Sequence, residues 1–262
     1  MGAATDIHCH LLPGIDDGAK SWEESLHMAQ QAVAEGIVTA IVTPHQLGAN
    51  THNRGATIRQ LTHEFQLRLN QANIPLRVLP GADVRIDSDM IDRLRSGDCL
   101  SLGDHRRHVL LELPHELYFP LEPVLGQLSQ LGMVGILSHP ERNQGILRRP
   151  DLIPSLVAGG CLMQITADSL IGTFGAAPQR FSEMMVQNGW VHFLATDAHS
   201  PRSRRPRIVD AKRRVVELAG VAYAEAVCVE NPAAIAAGRS CPELPMVRRG
   251  GFWSRWFGKR AA

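Results

Sequence analysis

The sequence predicts an α/β protein folded as a distorted seven-stranded (β/α) barrel of the TIM-barrel type, on two observations. Short apolar runs rich in β-branched residues alternate with longer amphipathic segments along most of the 262-residue chain. Strands that alternate with helices in this way form parallel sheets. The strand candidates are apolar throughout, so both of their faces are expected to be buried, which favours a closed barrel. An open, doubly wound sheet is the alternative, because periodicity does not reveal closure.

The apolar runs and the segments between them give the expected order of elements. Strands are predicted at residues 6–8, 37–43, 76–79, 108–113, 134–138, 161–165 and 191–196. Helices are predicted at residues 21–36, 58–73, 87–96, 121–131, 151–158 and 179–189. In the first of these helices, Ser21 and Glu24 form an S-x-x-E capping box, and Gly36 follows the last turn.

A single domain is expected over residues 1–241, because neither a sequence repeat nor a Gly/Ser linker divides the chain. Residues 242–262 form a tail that mixes aromatic with basic side chains. They include Phe252, Trp253, Trp256, Phe257, Arg255, Lys259 and Arg260. At helical spacing these residues would form an apolar face beside basic residues, which suggests peripheral contact with the inner face of a membrane. The alternative is a tail without regular structure, since two helical turns are marginal alone.

Composition and missing motifs exclude several functional classes. The chain has 27 Lys and Arg against 26 Asp and Glu, and this formal charge of +1 gives no bias toward nucleic acid. Its five cysteines include no C-x-x-C pair, and there is neither a signal peptide nor an apolar run of ~18 residues. We therefore expect a cytoplasmic protein. Cys-x5-Arg, Walker A, H-E-x-x-H and G-x-G-x-x-G motifs are absent, which disfavours thiol phosphatases, NTPases and dinucleotide enzymes.

Histidines and carboxylates recur where the predicted strands end. His8 and His10 lie two positions apart on the first strand, so both imidazoles share a face and can meet one cation. The carboxyl ends of parallel strands converge on one mouth of a barrel. The other candidates there are His45, Asp83, Glu112, His139, Asp197 and His199. Any one of them fits an ordinary core or rim position equally well, but their recurrence at six strand ends indicates a metal site.

The mixture of imidazoles and carboxylates favours zinc, manganese or iron over calcium or magnesium. The candidates outnumber the three or four ligands of one catalytic zinc, so we expect two or three ions, divalent or of mixed valence. Such ions activate water to attack a phosphate without a protein nucleophile. Arg142 follows His139 by three residues, and further arginines follow His199. Their guanidinium groups match phosphate oxygens.

Four motifs resemble the polymerase-and-histidinol-phosphatase (PHP) superfamily. They are D-I-H-C-H-L-L-P-G-I-D-D-G at residues 6–18, T-P-H at 43–45, L-S-H-P-E-R at 137–142 and A-T-D-A-H at 195–199. Within the superfamily, the chain is similar to the bacterial capsule-type, metal-dependent protein-tyrosine phosphatases, above all at residues 14–18 and 164–167. The resemblance covers residues 6–232 and implies a distorted seven-stranded barrel with a trinuclear metal centre.

The resemblance also implies a role for each candidate. It would group His8, His10, Asp83 and Asp197 on one ion, Asp83, Glu112 and His139 on a second, and Asp17, His45 and His199 on a third. Arg142 and either Arg204 or Arg205 would bind the phosphoryl group, and Arg205, beside Pro206, is favoured. The implied substrate is phosphotyrosine on the tail of a membrane-bound tyrosine autokinase that controls export of capsular or extracellular polysaccharide.

The sequence departs from this family's pattern at two places. The position that would bridge two of the implied ions is commonly Glu in this family. Here it is Asp83, whose side chain is shorter by one carbon–carbon bond of about 1.5 Å. The loop at residues 200–206 also differs in length, which leaves the choice between Arg204 and Arg205 open.

Two other functions fit the same residues. A small-molecule phosphatase, such as one acting on histidinol phosphate, would have an enclosed pocket in place of an open mouth. A non-catalytic regulatory module on the same barrel is the second, since a fold alone does not guarantee activity. The presence of every ligand position argues against that module. The sequence makes no prediction about the oligomeric state.

Overall fold

In the computed structural model, which describes residues 3–247, nine strands form two sheets of three and six strands. They are β1 (Ala4–Cys9), β2 (Ile37–Val42), β3 (His45–Gln46), β4 (Arg77–Pro80), β5 (Asp83–Arg85), β6 (His108–Glu112), β7 (Val134–Ser138), β8 (Leu162–Thr166) and β9 (Phe193–Ala195). The strand orders are β1-β2-β4 and β3-β5-β6-β7-β8-β9, and every neighbouring pair is parallel. The predicted parallel α/β architecture is confirmed.

Helices connect the strands, and three more follow the last strand. They are α1 (Trp22–Ala34), α2 (Gly55–Gln71), α3 (Met90–Ser96), α4 (Glu122–Gln130), α5 (Gln144–Leu147), α6 (Leu152–Ala158), α7 (Ala167–Leu170), α8 (Ala176–Gln187), α9 (Val209–Ala219), α10 (Val221–Glu225) and α11 (Asn231–Ala236). At the start of α1, Ser21 Oγ accepts a hydrogen bond from Glu24 N, but the Glu24 carboxylate accepts from Lys20 N, so half of the predicted capping box forms. Between residues 3 and 247, no helix combines the length and the apolar character that a membrane span requires.

All seven predicted strands occur, and β3 and β5 are additional. These two strands have two and three residues, and they follow β2 and β4 after interruptions of two residues each. Pro44 lies in the first interruption, where it has no N–H for a sheet ladder. In the second, a Cβ on Gly81 would lie 2.7 Å from Ile41 Cγ2, so only glycine fits there. The expected count of seven strands is thereby changed to nine assigned strands.

One apolar layer takes a side chain from each of seven strands. Its members are Ile7, Ile41, Leu79, Leu110, Ile136, Leu162 and Phe193. The interior of a β/α barrel is filled by layers of this kind. A second and larger cluster packs the helices against the strands, for example through Met28 of α1, Phe65 of α2 and Met185 of α8.

The first strand and the segment after the last strand are joined by backbone hydrogen bonds. Asp197 N donates to His8 O at 2.7 Å, and His10 N donates to Ala198 O at 2.8 Å. We call this contact the seam. Three of its four residues are predicted metal ligands and the fourth, Ala198, lies between two of them, so this contact and the candidate site share the same backbone.

The amino terminus of α9 is capped by Glu35, the residue that follows α1. No side chain near Ile208 caps this helix, and Glu35 supplies the missing acceptor. Glu35 Oε2 accepts hydrogen bonds from Ile208 N and Val209 N, at 3.0 Å each. A carboxylate at this position satisfies N–H groups that the helix leaves unpaired and interacts favourably with the helix dipole. The cap also fixes the end of the loop that follows His199.

We expect Glu35→Ala to lower the free energy of unfolding by about 1–2 kcal/mol, the usual cost of a lost helix cap. Glu35→Gln keeps a carbonyl acceptor, so its loss should be smaller. Glu64→Ala is the matched control, because it breaks only a partly exposed pair with Arg68 and should cost less than about 0.5 kcal/mol. Urea unfolding followed by circular dichroism measures all three. Equal losses for Glu35→Ala and Glu64→Ala would contradict the capping role.

Candidate metal centre

All nine predicted ligands lie in one continuous cluster at the carboxyl ends of the strands. Their donor atoms form four groups, and within each group the donors lie within 4.8 Å of one another. The groups are His10, Asp17, His45 and His199; His8, His10 and Asp197; His8, Asp83 and His139; and His45, Asp83 and Glu112. Neighbouring groups share residues, so the four groups are linked.

This grouping differs from the one that the resemblance implies. His10 groups with Asp17 and not with Asp83. His45 groups with Asp83 as well as with Asp17. Asp83 lies in a group with His8 and His139 and not in the group of Asp197. Glu112 shares a group with Asp83 but not with His139. The other implied neighbours do group together. Asp83 therefore belongs to two groups that have no other common member, which is the arrangement expected of a bridging carboxylate.

Asp83 is a buried carboxylate without hydrogen bonds. Both of its oxygens are inaccessible to solvent, and neither accepts a hydrogen bond. Its Oδ2 lies 3.6 Å from His8 Nε2, 3.4 Å from His45 Nδ1 and 3.9 Å from His139 Nε2. Burial opposes its ionisation, but His8 and His45 hold the pKa of Asp83 below its ordinary range. A buried carboxylate whose two oxygens accept no hydrogen bond is costly, and a bound metal would satisfy these oxygens, so the residues fit a metal.

The imidazoles of His8 and His10 also fit a cation. His8 Nδ1 donates to Gln164 Oε1 at 2.8 Å, and His10 Nδ1 donates to Asp16 Oδ2 at 2.7 Å. Both partner atoms are hydrogen-bond acceptors, so Nδ1 carries the proton in each ring, and Nε2 is the atom that can offer a lone pair to a cation. The two Nε2 atoms lie 3.3 Å apart. Burial lowers the pKa of His10 to about 3, which keeps this ring neutral at pH 7. Two facing acceptors have no proton to share, and a cation would satisfy both.

Asp16 and Gln164 hydrogen-bond to candidate ligands, a role that the sequence analysis did not assign to them. Besides His10, Asp16 accepts from Gly18 N at 2.9 Å and from His45 N at 3.0 Å, so it holds two candidate ligands. A Cβ on Gly18 would lie 2.3 Å from His10 O, which explains the glycine. Both residues occur in family motifs, and Gln164 is a buried amide within an apolar strand. A polar side chain in an otherwise apolar strand is the sequence signal that could have identified Gln164.

Asp197 connects the imidazole cluster to two arginines. Its Oδ1 lies 3.3 Å from His8 Nε2 and 3.6 Å from His10 Nε2. Its Oδ2 accepts from Arg142 Nη1 and from Arg204 Nη2, at 2.5 Å each. Burial opposes ionisation, yet His8 and Arg204 hold the pKa of Asp197 well below its ordinary range. The residue is therefore an anion that binds two arginines through one oxygen and faces two imidazoles with the other, in a left-handed backbone conformation with φ of 51°.

The structure places Arg204 at the site and Arg205 outside it, although the sequence analysis favoured Arg205. Arg204 and Arg142 line a cavity of about 210 Å³ beside the cluster. Arg205 is exposed and is not among the lining residues in the described part of the chain. The cause is a tight turn, in which His199 N and Ser200 N donate to Arg204 O at 2.9 and 3.1 Å. This turn directs the Arg204 side chain back to the site.

The remaining candidates differ in protonation. Burial opposes charge on His45, but contacts with Asp17 and Asp83 raise its pKa to about 11. Burial, then the charge of Asp83, raises the pKa of Glu112 to about 7. Burial lowers the pKa of His139 to about 3. Because a metal ligand must be deprotonated, a cation that binds His45 has to displace a proton, whereas His139 is ready to bind.

The cluster reaches the surface through Asp17, whose side chain is 65% exposed. A second cavity of about 460 Å³ continues outward from this point and shares Asp17, His199 and Arg204 with the first cavity. We call it the outer groove. Its lining consists of Asp17, Gly18, Lys20, Glu24 and residues 199–204. The site is thus an open depression that extends into a groove.

No thiol is available as a nucleophile at this cavity. Cys9, Cys99, Cys161 and Cys228 are buried, and none of the five cysteines lines the cavity as the structure describes it. Burial raises the pKa of Cys161 to about 12, so this thiol stays protonated. The arrangement therefore supports metal-assisted chemistry with anion binding by Arg142 and Arg204, in agreement with the missing Cys-x5-Arg motif.

The chain resembles known proteins in sequence and in structure. Residues 4–237 match the family described as "Capsular polysaccharide synthesis, CpsB/CapC". Tyrosine-protein phosphatase YwqE of Bacillus subtilis is 39% identical over 201 residues, which are 76% of this chain and 78% of YwqE. Tyrosine-protein phosphatase CpsB of Streptococcus agalactiae is 23% identical over 240 residues, which are 88% of this chain and 97% of CpsB.

A comparison with solved structures also finds a tyrosine phosphatase. A chain from the crystal structures of YwqE from Bacillus subtilis and CpsB from Streptococcus pneumoniae, described as unique metal-dependent tyrosine phosphatases, superposes with a TM-score of 0.86. It is 34% identical, and the match covers 93% of this chain and 100% of that chain. The predicted resemblance is confirmed, and this chain belongs to the CpsB/CapC family of capsular polysaccharide synthesis proteins.

Proposed function

We propose that the protein is a metal-dependent protein-tyrosine phosphatase that acts in capsular or extracellular polysaccharide synthesis. One observation carries this proposal. The two carboxylate oxygens of Asp197 face different groups, one the imidazole cluster and the other two arginines at the cavity. A cation site and an oxyanion site therefore adjoin, which is what hydrolysis of a phosphoester requires. The phosphatase relatives support the substrate class.

We infer that two or three manganese, iron or zinc ions bind the cluster. The ligands would be His8, His10, Asp17, His45, Asp83, Glu112, His139, Asp197 and His199. When bound, such ions neutralise phosphate charge and lower the pKa of water, so that water is the nucleophile. The mixture of imidazole and carboxylate donors supports these metals over magnesium and calcium.

The chain's own residues bind and orient the phosphoryl group. In the absence of substrate, Asp197 Oδ2 holds Arg142 and Arg204 at the edge of the cavity. A phosphoryl group offers them several anionic oxygens in place of one, and guanidinium groups bind such oxygens in pairs. Asp16 and Gln164 fix the ring orientation of two ligands, so the cluster does not have to reorganise when it binds cations.

A polypeptide substrate suits the shape of the site. The outer groove continues from the cavity past Asp17 and Arg204, which gives room for residues on one side of a phosphotyrosine. A metabolite such as histidinol phosphate would favour an enclosed pocket. We propose that the physiological substrate is the tail of a membrane-bound tyrosine autokinase. The five unpaired cysteines support a cytoplasmic site of action.

We also propose that the two sheets close as one distorted barrel with seven strand positions. In this interpretation β2 and β3 together form one interrupted strand of the barrel, and β4 and β5 together form another. The seven-residue layer and the seam between β1 and the end of β9 support it. Residues 1–241 would form this catalytic unit and residues 242–262 its tail. The proposed membrane-contacting helix, from Phe252 onward, lies outside the described residues.

We expect the purified protein to hydrolyse a phosphotyrosine peptide when loaded with manganese and to lose this activity on chelation. His139→Ala removes a ligand and should lower kcat by about 100-fold or more. His63→Ala, an exposed histidine on α2, is the matched control and should change neither activity nor metal content. Activity that survives both chelation and His139→Ala would refute the metal mechanism. Faster hydrolysis of histidinol phosphate than of peptide would favour the small-molecule alternative.

We expect Arg204→Ala to lower kcat/KM for the phosphopeptide by about 10- to 100-fold, the effect of losing hydrogen bonds to a charged group. Arg205→Ala should change it little, because this side chain is exposed and outside the cavity. The two variants remove the same charge from adjacent positions, so they separate local binding from the overall electrostatic field. A larger loss with Arg205→Ala would overturn the assignment.

We expect Gln164→Met to weaken metal binding by about 10- to 100-fold, because His8 Nδ1 loses its acceptor and the ring is free to turn. Gln164→Glu keeps an acceptor at the same reach and should bind metal more tightly than Gln164→Met. Titration against a competing chelator measures the affinities without any turnover. If Gln164→Met binds metal as tightly as the unchanged protein, Gln164 does not orient His8.

A further inference from the structure

Phe174 lies in the short loop between α7 and α8, which follows β8 at the same end of the sheet as the metal cluster. Two glycines with left-handed backbones flank it, Gly172 with φ of 87° and Gly175 with φ of 95°. Thr173 N donates to Asp168 O at 2.9 Å, which ties the loop to α7. The ring is half-buried. The loop is therefore built to hold one aromatic side chain in a fixed place.

Phe174 contacts both arginines of the site. Arg142 Cζ lies 4.6 Å from the centre of the ring, and Arg204 Cζ lies 5.7 Å from it. Both distances fall within the range of about 6 Å in which a guanidinium is attracted to the face of an aromatic ring. Phe174 is not one of the cavity-lining residues described for the site. The ring thus contacts the arginines without occupying the space for the phosphoryl group.

An aromatic ring suits this position for a chemical reason. The two guanidinium groups repel each other, and both donate to Asp197 Oδ2 at 2.5 Å. A second carboxylate beside them would take up N–H groups that the phosphate needs. The face of a phenyl ring attracts a cation but accepts no strong hydrogen bond, so it holds the arginines and leaves their N–H groups available.

We propose that Phe174 is a positioning residue that holds Arg142 and Arg204 as a pair for one oxyanion. The inference rests on the proposed function, because it takes the two arginines as the phosphoryl-binding groups. It adds a residue that no motif indicates. It also accounts for the flanking glycines, since Gly172 and Gly175 allow the turn that brings the ring beneath both guanidinium groups.

The test compares three variants of the metal-loaded, full-length protein. Phe174→Leu keeps an apolar side chain but removes the ring face, and Phe174→Tyr keeps the ring. Phe119→Leu is the control, because Phe119 is also half-buried but packs against the apolar core, whereas the two arginines lie over Phe174. The readouts are kcat and KM for a phosphotyrosine peptide, the affinity for inorganic phosphate by calorimetry, metal content and melting temperature.

We expect Phe174→Leu to raise KM and to weaken phosphate binding by roughly 3- to 30-fold, the effect of losing one or two cation–π contacts. Metal content and melting temperature should change no more than with Phe119→Leu, and Phe174→Tyr should restore phosphate affinity. Unchanged phosphate affinity in Phe174→Leu would overturn the inference, and so would an equal loss in Phe174→Tyr.

A double variant tests whether Phe174 acts through the arginines. If it does, Phe174→Leu should weaken phosphate binding less in the Arg204→Ala background than in the unchanged protein. Full additivity of the two losses would contradict the proposal. Phosphate affinity needs no turnover, so these results are separate from the proposed function. That function fails instead if the unchanged protein hydrolyses no phosphotyrosine peptide.

Discussion

One carboxylate, that of Asp197, sets the distance between the two halves of the site. One of its oxygens faces the imidazoles of His8 and His10, and the other binds Arg142 and Arg204. Its left-handed backbone costs a non-glycine residue roughly 1–3 kcal/mol, and such a conformation persists where the surroundings determine it. Here the hydrogen bond from Asp197 N to His8 O provides that constraint, so the seam and the site stabilise each other.

Much of the fold and of the site follows from the sequence because the signals are local. Buried parallel strands give continuous apolar runs, and each of the seven predicted runs overlaps a strand. Ligands such as His139 and Asp197 stand directly after those runs, so a parallel arrangement brings them to one edge without knowledge of the side-chain geometry. The family motifs then narrowed the chemistry to phosphoester hydrolysis, and the comparisons agree with that assignment.

What the sequence did not reveal depends on contacts between distant segments. The strands β3 and β5 are too short for any periodicity, yet their register places His45 opposite Asp83. The choice of Arg204 over Arg205 follows from a turn closed by backbone hydrogen bonds, which neighbouring arginines in a sequence cannot indicate. Phe174 is a single aromatic residue in a loop. Its contacts with two arginines exist only because separate loops meet at the carboxyl ends of the strands.

The seam has a consequence for biosynthesis. Asp6 and Thr196 hydrogen-bond across 190 positions of the chain, so the first strand meets this neighbour only after those 190 residues have been synthesised. At about 5–20 residues per second, that interval is roughly 10–40 s. During it, the nascent polypeptide has His8 and His10 but lacks Asp197. The candidate ligands on the first strand and those at Asp197 and His199 can therefore come together only after this later segment has left the ribosome, so any metal that needs both sets is bound after that point.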